Sequence, residues 1–541
     1  MTALGSILGS IGEFGLFQKL LLLGLCLPSF LLPLNSCNLL FFESDPDRRC
    51  NTDWILRADP NLTAEEQLNL TVPRETDGSF SRCRMFVPVN WDIGAIREQG
   101  LNVTTACTDG WVYSSALYDA TIVTDFDLVC DRSYMVAVVQ TVFLTGMLAG
   151  SFLFGPAAES CGRRRATQLP VVLGLVAVIA IALSPNLYIY LASLVVVGVA
   201  LGGYRINAVV LATEWIGASK RSWVSCLSQG FFAVGQCAAA GLVYVIRDWR
   251  KAQYVLAGGQ ASIILYIWCI PESARWLLGR GRTEEAKRII CKVAAINKKE
   301  IPEELLQEVT AEQEVKSEGI MALFTSPLLM KYFSIAAFAW FSINLGYSCL
   351  ALNVGKFGLS IFLVQMLFGV TEIPAHLLCI WFVEVIGRRK SLMSALLAGG
   401  FFCLLTLAFP QENAVAITAL VTTGKFLFNS GGSVCMIYMQ EMFPTSIRQT
   451  AVGLGSICFR IASLLSPTCN MLAVYHWSIP IIVFSSLAVL SGALVFFLPE
   501  TARKELPDST NEAVGNRKGR VTETGSDVSK MERSGSMSTK L

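Results

Sequence analysis

The sequence predicts an all-α polytopic membrane protein whose twelve transmembrane helices form two pseudo-symmetric halves of six. Three observations support this fold class: an apolar composition, apolar runs that recur at the length of a membrane span, and an internal repeat. Of the 541 residues, 53% are hydrophobic and 16% are charged. Because this composition is too apolar for one soluble domain of this length, we expect a polytopic membrane protein.

Apolar runs of roughly 20 residues, the length that an α-helix needs to cross a bilayer, follow one another along almost the whole chain. The first run contains Pro28 and Pro33 and shows no small-residue cleavage site, so we predict a retained span and not a signal peptide. The twelve expected spans are 16–42, 134–156, 168–186, 188–213, 223–246, 253–271, 330–353, 359–386, 391–409, 413–439, 450–474 and 477–498.

One long polar segment, residues 43–133, separates the first two spans. It contains three Asn-x-Thr glycosylation acceptors and an even set of cysteines, a combination typical of an oxidising extracellular or lumenal compartment. Four cysteines allow three pairings, and the sequence does not choose between them. The acceptors are Asn61, Asn69 and Asn102, and the candidate disulfide cysteines are Cys50, Cys83, Cys107 and Cys130.

The charges between the spans agree with an extracellular position for residues 43–133. Lys and Arg concentrate in the turns on the other side, as the positive-inside rule expects of a cytoplasmic face. One outer turn, residues 247–251, carries basic residues against this rule. The prediction is a cytoplasmic amino terminus (1–15), a first half (16–271), a cytoplasmic linker (272–329), a second half (330–501) and a cytoplasmic tail (502–541).

The tail loses apolar residues and gains Ser, Thr, Lys, Gly and Glu, which predicts disorder because such a segment cannot bury a core. It ends in Ser538-Thr539-Lys540-Leu541, which fits the carboxyl-terminal pattern that PDZ domains capture by strand addition. A PDZ-domain scaffold is therefore a candidate partner, although three-residue matches of this kind are common.

Charged motifs at the cytoplasmic ends of the spans are repeated at offsets of 225 to 228 residues, which relates the two halves. Two parallel six-helix repeats are the architecture of the major facilitator superfamily, whose halves rock about a central site. We expect the acids and arginines to form ion pairs that close a cytoplasmic gate. They are Glu159, Arg163, Arg164, Glu214 and Arg221 in the first half, and Glu384, Arg388, Arg389, Glu441 and Arg448 in the second.

Ionisable residues near the middle of a span are costly, so they usually face the interior of the bundle and mark a pathway. The basic residues near the middle of the expected spans are Arg205, His376, Lys425 and Arg460, and the acidic residue is Glu372. Three permanent cations and one acid predict a cavity that attracts an organic anion. The alternative is that Lys425 or Arg460 pairs with Glu372 or caps a broken helix, and a structural role is also open for Arg205. For a lone histidine, packing is at least as common as titration. If His376 faces the cavity, its protonation should strengthen anion uptake at acid pH.

Several motifs resemble the organic ion transporters of solute carrier family 22. They are Gly12-x-Phe14-Gly15-x-Phe17-Gln18, Asp127-Leu128-Val129-Cys130, Arg247-Asp248-Trp249-Arg250, Pro271-Glu272-Ser273-Ala274-Arg275-Trp276-Leu277 and Phe443-Pro444-Thr445-x-Ile447-Arg448-Gln449-Thr450.

Within this family, Arg460 and Lys425 resemble the cations of the organic anion branch, and Phe232 and Tyr347 match aromatic positions of the substrate cavity. The resemblance implies sodium-independent uptake of small organic anions, or their exchange against an intracellular carboxylate, in an epithelial plasma membrane. Three positions depart from the family pattern. Many relatives have Lys or Arg at the position of His376, a small residue at that of Arg205 and Asp at that of Glu159.

Two other functions compete with anion transport. A carrier of cations or carnitine-like zwitterions has the same fold, although three cations against one acid argue against it. A non-transporting sensor or scaffold of this fold would fit the carboxyl-terminal motif. The sequence shows no phosphate loop, metal cluster or nucleophile arrangement, so we do not expect enzymatic activity, a cofactor, a bound metal or a nucleic-acid partner. Membrane lipid is the expected environment of the spans.

Overall fold

In the computed structural model, one long helix occupies each of the twelve predicted spans. We number these membrane helices in chain order. In the first half they are Leu16–Phe42, Tyr134–Cys161, Arg163–Ala182, Leu187–Trp215, Arg221–Val245 and Trp249–Ile267; in the second half they are Pro327–Leu352, Ile361–Ile386, Arg388–Leu405, Ala414–Met442, Thr445–Met471 and Ile479–Val495.

The structure describes residues 3–12, 14–43, 46–75, 78–216, 221–302, 323–324, 326–353, 359–410, 413–443 and 445–501. Residues 303–322 and 325 of the predicted linker and the whole predicted tail, including its PDZ-binding pattern, lie outside these residues. The side chains of three predicted gate residues, Arg221, Glu384 and Arg448, also lie outside the described part, although their backbone is helical.

Eight of the described helices are long and apolar enough to cross a membrane, and the twelfth membrane helix is apolar with 17 residues. The fifth, sixth and tenth helices contain more polar side chains, among them Gln236, Gln260 and Lys425, all of which are buried. Polar groups inside a membrane protein face the bundle and not the lipid, so these helices present a side to the interior.

The two halves repeat one packing scheme. Five helix pairs that pack together in the first half have an equivalent pair, six helices later, that packs together in the second half. In the first half these pairs are the first with the fifth, the second with the fourth, the third with the fourth, the third with the sixth, and the first with the sixth. Between the halves, the second helix packs on the eleventh and the fifth on the eighth, which is again a symmetric arrangement. The pseudo-symmetry predicted from the charged motifs is therefore present in the packing.

The segment between the first two membrane helices contains the only strands among the described residues. Two short antiparallel ribbons pair Arg48–Cys50 with Trp111–Tyr113 and Arg84–Phe86 with Thr104–Ala106. Disulfides join Cys50 to Cys107 and Cys83 to Cys130, which selects one of the three possible pairings. We call residues 43–133 the outer segment, the end of the bundle that carries it the outer end, and the opposite end the inner end.

The segment also contains the helices Asp53–Arg57, Ala64–Thr71, Ile93–Gln99, Ile122–Asp125 and Cys130–Arg132. Elsewhere the remaining described helices are Ala3–Ile11, Ala274–Gly279, Thr283–Ile296, Thr406–Ala408 and Leu472–Val474.

The basic outer turn at 247–251 has a structural explanation. Asp248 caps the sixth membrane helix by accepting hydrogen bonds from the backbone of Arg250 and Lys251. The Arg250 side chain lies 3.3 Å from a carboxylate oxygen of Asp125 and donates to backbone carbonyls at the end of the third helix. The arginine therefore fastens the outer segment to the bundle, and an acid neutralises its charge locally.

Candidate functional site

A cavity of about 180 Å³ lies between the two halves. Eight membrane helices contribute to its wall: the first, second, fourth and fifth from one half, and the seventh, eighth, tenth and eleventh from the other. Four predicted site residues, Arg205, Phe232, Tyr347 and Lys425, line it. The structure thus brings together in one chamber side chains that are up to 220 residues apart in the sequence.

Lys425 forms a buried ion pair. Its Nζ lies 2.5 Å from Oε1 of Glu372, and both side chains are 3% exposed. The Lys425 ammonium also lies 4.7 Å from the centre of the Tyr347 ring and 4.3 Å from that of Phe368. The alternative considered for Lys425, a pair with Glu372, is therefore the arrangement in the structure.

Glu372 connects the two halves. Its Oε1 accepts a hydrogen bond from the Tyr347 hydroxyl at 2.9 Å, and its Oε2 accepts one from Gln236 Nε2 at 2.9 Å. Gln236 belongs to the fifth helix, whereas the other three residues of this network belong to the second half. With these donors and Lys425 around it, the carboxylate is well compensated in its buried position.

Arg205 has a different environment. Its guanidinium lies 5.2 Å from the centre of the Phe232 ring and 3.5 Å from Gln229 Oε1, a long hydrogen bond. Among the described residues, no carboxylate lies within ion-pair distance of Arg205. A cation held against an aromatic ring without an acid partner can receive an anionic ligand.

Arg460 on the eleventh helix lies near Arg205, close enough for the two cations to interact electrostatically. Asn344 of the seventh helix fixes this region by donating hydrogen bonds to the Phe459 carbonyl and to Ser463. Arg460 is partly exposed and forms no ion pair within the described part of the chain. It is not among the cavity-lining residues, but it adds positive charge beside them.

His376 lies behind the cavity and is buried. Its Nε2 is 3.2 Å from the Asn429 amide nitrogen and its Nδ1 is 3.1 Å from the Ser433 hydroxyl. Both ring nitrogens of His376 are therefore in contact with polar side chains of the tenth helix. These contacts with the tenth helix favour the packing role for His376.

Glu43 is a cavity residue that the sequence analysis missed. Glu43 directly follows the last residue of the first membrane helix, so the sequence assigned it to the polar segment 43–133. Its carboxylate is nevertheless buried and accepts a hydrogen bond from Gln140 of the second helix at 2.7 Å. The signal available in the sequence was the position of this acid directly after the apolar run that ends in Phe41 and Phe42.

The predicted gate residues form ion pairs at the inner end, within each half. Arg163 contacts Glu159 at 2.7 Å and Glu214 at 3.3 Å. In the second half, Arg388 makes a two-point contact with Glu441, at 2.8 and 2.9 Å. The Arg163 pairs join the start of the third helix to the ends of the second and fourth helices, and the Arg388 pair joins the start of the ninth helix to the end of the tenth. In this conformation they therefore organise each half and do not bridge the gate.

The neighbouring arginines reinforce the same ends. The Arg164 side chain donates to the Trp268 carbonyl, and the Arg389 side chain donates to the carbonyls of Phe496 and Leu498. The acids that follow, Glu272 and Glu500, accept hydrogen bonds from the backbone at Arg164 and at Arg388 and Arg389. Two matching motifs 228 residues apart, Pro271-Glu272-Ser273 and Pro499-Glu500-Thr501, therefore cap the third and ninth helices in the same way.

Aromatic rings join the two halves at the outer end. The ring of Phe362, from the eighth helix, lies 5.4 Å from that of Phe41, 6.0 Å from Tyr118 and 5.5 Å from Tyr244, all in the first half. These contacts lie beyond the cavity, next to the outer segment. The three predicted glycosylation acceptors on that segment are exposed, which is compatible with modification.

Comparisons with known proteins agree with this architecture. A family model described as "Sugar (and other) transporter" matches residues 90–512. Human solute carrier family 22 member 13 is 35% identical over 508 residues, which cover 94% of this chain and 92% of that protein. Mouse member 14 is 34% identical and rabbit (Oryctolagus cuniculus) member 6 is 29% identical, with 93% and 96% of this chain covered and 80% and 95% of those proteins.

A proton:xylose symporter of the major facilitator superfamily, solved with 6-bromo-6-deoxy-D-glucose, superposes with a TM-score of 0.57 at 16% identity, covering 92% of this chain and 99% of that one. The inward-open xylose transporter of E. coli gives the same TM-score at 18% identity, with 73% and 93% covered. At these identities the likeness shows the fold, which is that of the major facilitator superfamily.

Proposed function

We propose that this chain, which belongs to solute carrier family 22, transports small organic anions across a membrane by alternating access. Membership of that family makes it a multi-pass membrane transporter and not an enzyme. The proposal has three further parts. The substrate is an anion, its transport is sodium-independent uptake or exchange against an intracellular carboxylate, and the membrane is an epithelial plasma membrane with both termini in the cytoplasm.

The observation that carries the proposal is the unequal pairing of the central cations. Lys425 is neutralised by Glu372, whereas Arg205 and Arg460 have no acid within ion-pair distance among the described residues. Two guanidinium groups at the centre of a bundle produce a positive potential that concentrates anions. A guanidinium also matches the planar fork of a carboxylate, so a carboxylic acid is the preferred class of anion.

The aromatic side of the cavity supports an aromatic or apolar body on the substrate. Phe232 and Tyr347 lie on opposite halves and both face the chamber. Most of its remaining wall is apolar, with Leu32, Phe143 and Leu201 as examples. Apolar walls with a few placed polar groups are typical of sites that bind small organic molecules.

Uptake by the full-length protein in proteoliposomes tests this proposal. A labelled aromatic carboxylate should accumulate above protein-free liposomes, and a labelled quaternary amine should not. Replacing Arg205 or Arg460 with Met should lower uptake by about ten- to a hundredfold, the loss expected from removing one charge-assisted contact. The matched control is Arg57→Met, which changes an exposed arginine of the outer segment.

Uptake of the amine without the carboxylate would overturn the assignment and support the cation or zwitterion alternative. Absence of any transport, together with capture of the carboxyl-terminal peptide Ser538–Leu541 by PDZ domains, would support the scaffold alternative.

A further inference from the structure

We propose that Glu43 is a proton-binding site and that a proton crosses the membrane together with the organic anion. This inference rests on the proposed function for its second part, the coupling to an anion. Its first part, protonation of Glu43, concerns this side chain alone and can be measured without a substrate.

The geometry isolates the Glu43 carboxyl group in the wall of the cavity. Its side chain is buried, with the residue 7% exposed, and Oε2 accepts the 2.7 Å hydrogen bond from Gln140. Oε1 is also buried and has no hydrogen-bond partner among the described residues. Because a buried carboxylate with an unpaired oxygen is costly, this position favours the protonated, uncharged form of the carboxyl group.

No Lys or Arg of the described residues lies within ion-pair distance of Glu43. The titratable group that interacts with it from the fourth helix is Tyr190. Across the chamber, Arg205, Lys425 and Tyr347 line the same cavity, but the Lys425 charge is already matched by Glu372. Glu43 therefore differs from Glu372, the other acid of the site.

Burial has the expected consequence for the titration of this residue. Desolvation raises the pKa of the Glu43 carboxyl to about 8, and the hydrogen bond from Gln140 acts in the opposite direction. With a raised pKa, the group keeps its proton at neutral pH and loses it as the pH rises through about 8. The electrostatic cost of an ionised Glu43 thus appears only at alkaline pH.

An anion in the cavity and a proton on Glu43 favour each other. An ionised Glu43 repels a carboxylate that enters the same chamber, and protonation removes this repulsion. By linkage, the bound anion must raise the proton affinity of Glu43 by the same factor by which the proton raises the anion affinity. The two ions therefore bind together, and release of the anion lowers the proton affinity again.

The ring contacts of the outer end give the proton a controlled route. Phe42, the neighbour of Glu43, packs on Tyr118 at 5.6 Å between ring centres, and Tyr118 packs on Phe362 of the other half. While these rings are together, they hold the two halves in contact next to Glu43. When the halves part at this end, outside water can reach Glu43 and load the proton, and when the inner end opens, the proton can leave on the inner side.

Infrared spectroscopy of the purified full-length protein tests protonation directly. The carbonyl band of a protonated carboxylic acid should be present at neutral pH in the wild type and missing in Glu43→Gln. A band that is identical in both proteins at all pH values overturns the assignment. Gln140→Leu retains Glu43 and removes the hydrogen bond that stabilises its ionised form, so the band should titrate at a higher pH; an unchanged or lower midpoint contradicts the proposal.

Proteoliposomes with an internal pH indicator test the coupling. During uptake of a labelled aromatic carboxylate, corrected for protein-free liposomes, the interior should acidify, and uptake should increase as external pH falls from about 8 to about 6. Glu43→Gln should lose both effects, and Glu98→Gln, which changes an exposed acid of the outer segment, should retain both.

Anion uptake without internal acidification would overturn the coupling and leave the proposed function intact. If the carboxylate is not transported at all, the proposed function fails, whereas the infrared result still decides whether Glu43 binds a proton.

Discussion

At the scale of single residues, the central cations have separate roles. Lys425 is engaged by Glu372, Tyr347 and the Phe368 ring, so it belongs to the structural network of the second half. Arg205 has an aromatic neighbour and, within the described part of the chain, no acid at ion-pair distance, which suits a ligand contact. One sequence pattern, a cation in the middle of a span, therefore corresponds to two kinds of site.

A double-mutant cycle on the buried pair distinguishes these roles. Lys425→Met leaves Glu372 as a buried, uncompensated charge, which should destabilise the protein by roughly 3–5 kcal/mol. Adding Glu372→Gln should recover most of this loss, because no unpaired charge remains. Thermal unfolding of the detergent-purified proteins measures both values. A double variant as unstable as Lys425→Met alone would contradict the assignment.

At the scale of the elements, the repeated inner turns depend on glycine. Gly162 and Gly387 precede the third and ninth helices with φ values of +100° and +96°, a region that residues with a side chain rarely adopt. A Cβ atom at Gly387 would also lie 2.9 Å from a carboxylate oxygen of Glu500. The Gly-Arg-Arg motif thus combines a backbone conformation, an acid cap and two arginine contacts.

Gly387→Ala should therefore destabilise the second half, by about 1–3 kcal/mol from backbone strain alone. The matched control is Gly453→Ala on the eleventh helix, where an added Cβ meets nothing within 4 Å and the backbone is not in this region. Melting temperature and the fraction of monodisperse protein measure the effect. Equal behaviour of the two variants would show that the turn tolerates a side chain.

At the scale of the whole molecule, the halves meet through a few defined contacts. The fifth helix packs on the eighth and the second on the eleventh, and the Glu372 network crosses the same interface. At the outer end, the rings around Phe362 join the halves. At the inner end, the conspicuous ion pairs of the described residues remain within each half. We therefore expect rocking about the central network.

Phe362→Ala should shift the population towards an outer-open state, because it removes the rings that hold this end together. Spectroscopic labels introduced as unnatural amino acids at the exposed Val245 and Tyr475 should move apart. Phe401→Ala, which removes an exposed ring of the ninth helix, should leave the label distance unchanged. An unchanged distance in Phe362→Ala would show that the rings do not hold the outer end closed.

The sequence by itself determined the number of spans, the division into halves and the presence of charged residues in the middle of spans. These features depend on local apolar length and on repeated motifs, both of which can be read along the chain. The family also followed from short motifs, and relatives that match over most of the chain confirm it.

Only the tertiary structure decided which charges meet. It paired Lys425 with Glu372, left Arg205 beside Phe232, turned His376 towards the tenth helix and brought Glu43 into the cavity. It also selected one disulfide pairing from three. The physical reason is that partners of a buried charge come from helices distant in the sequence, and their packing alone decides whether that charge is neutralised or remains available to a ligand.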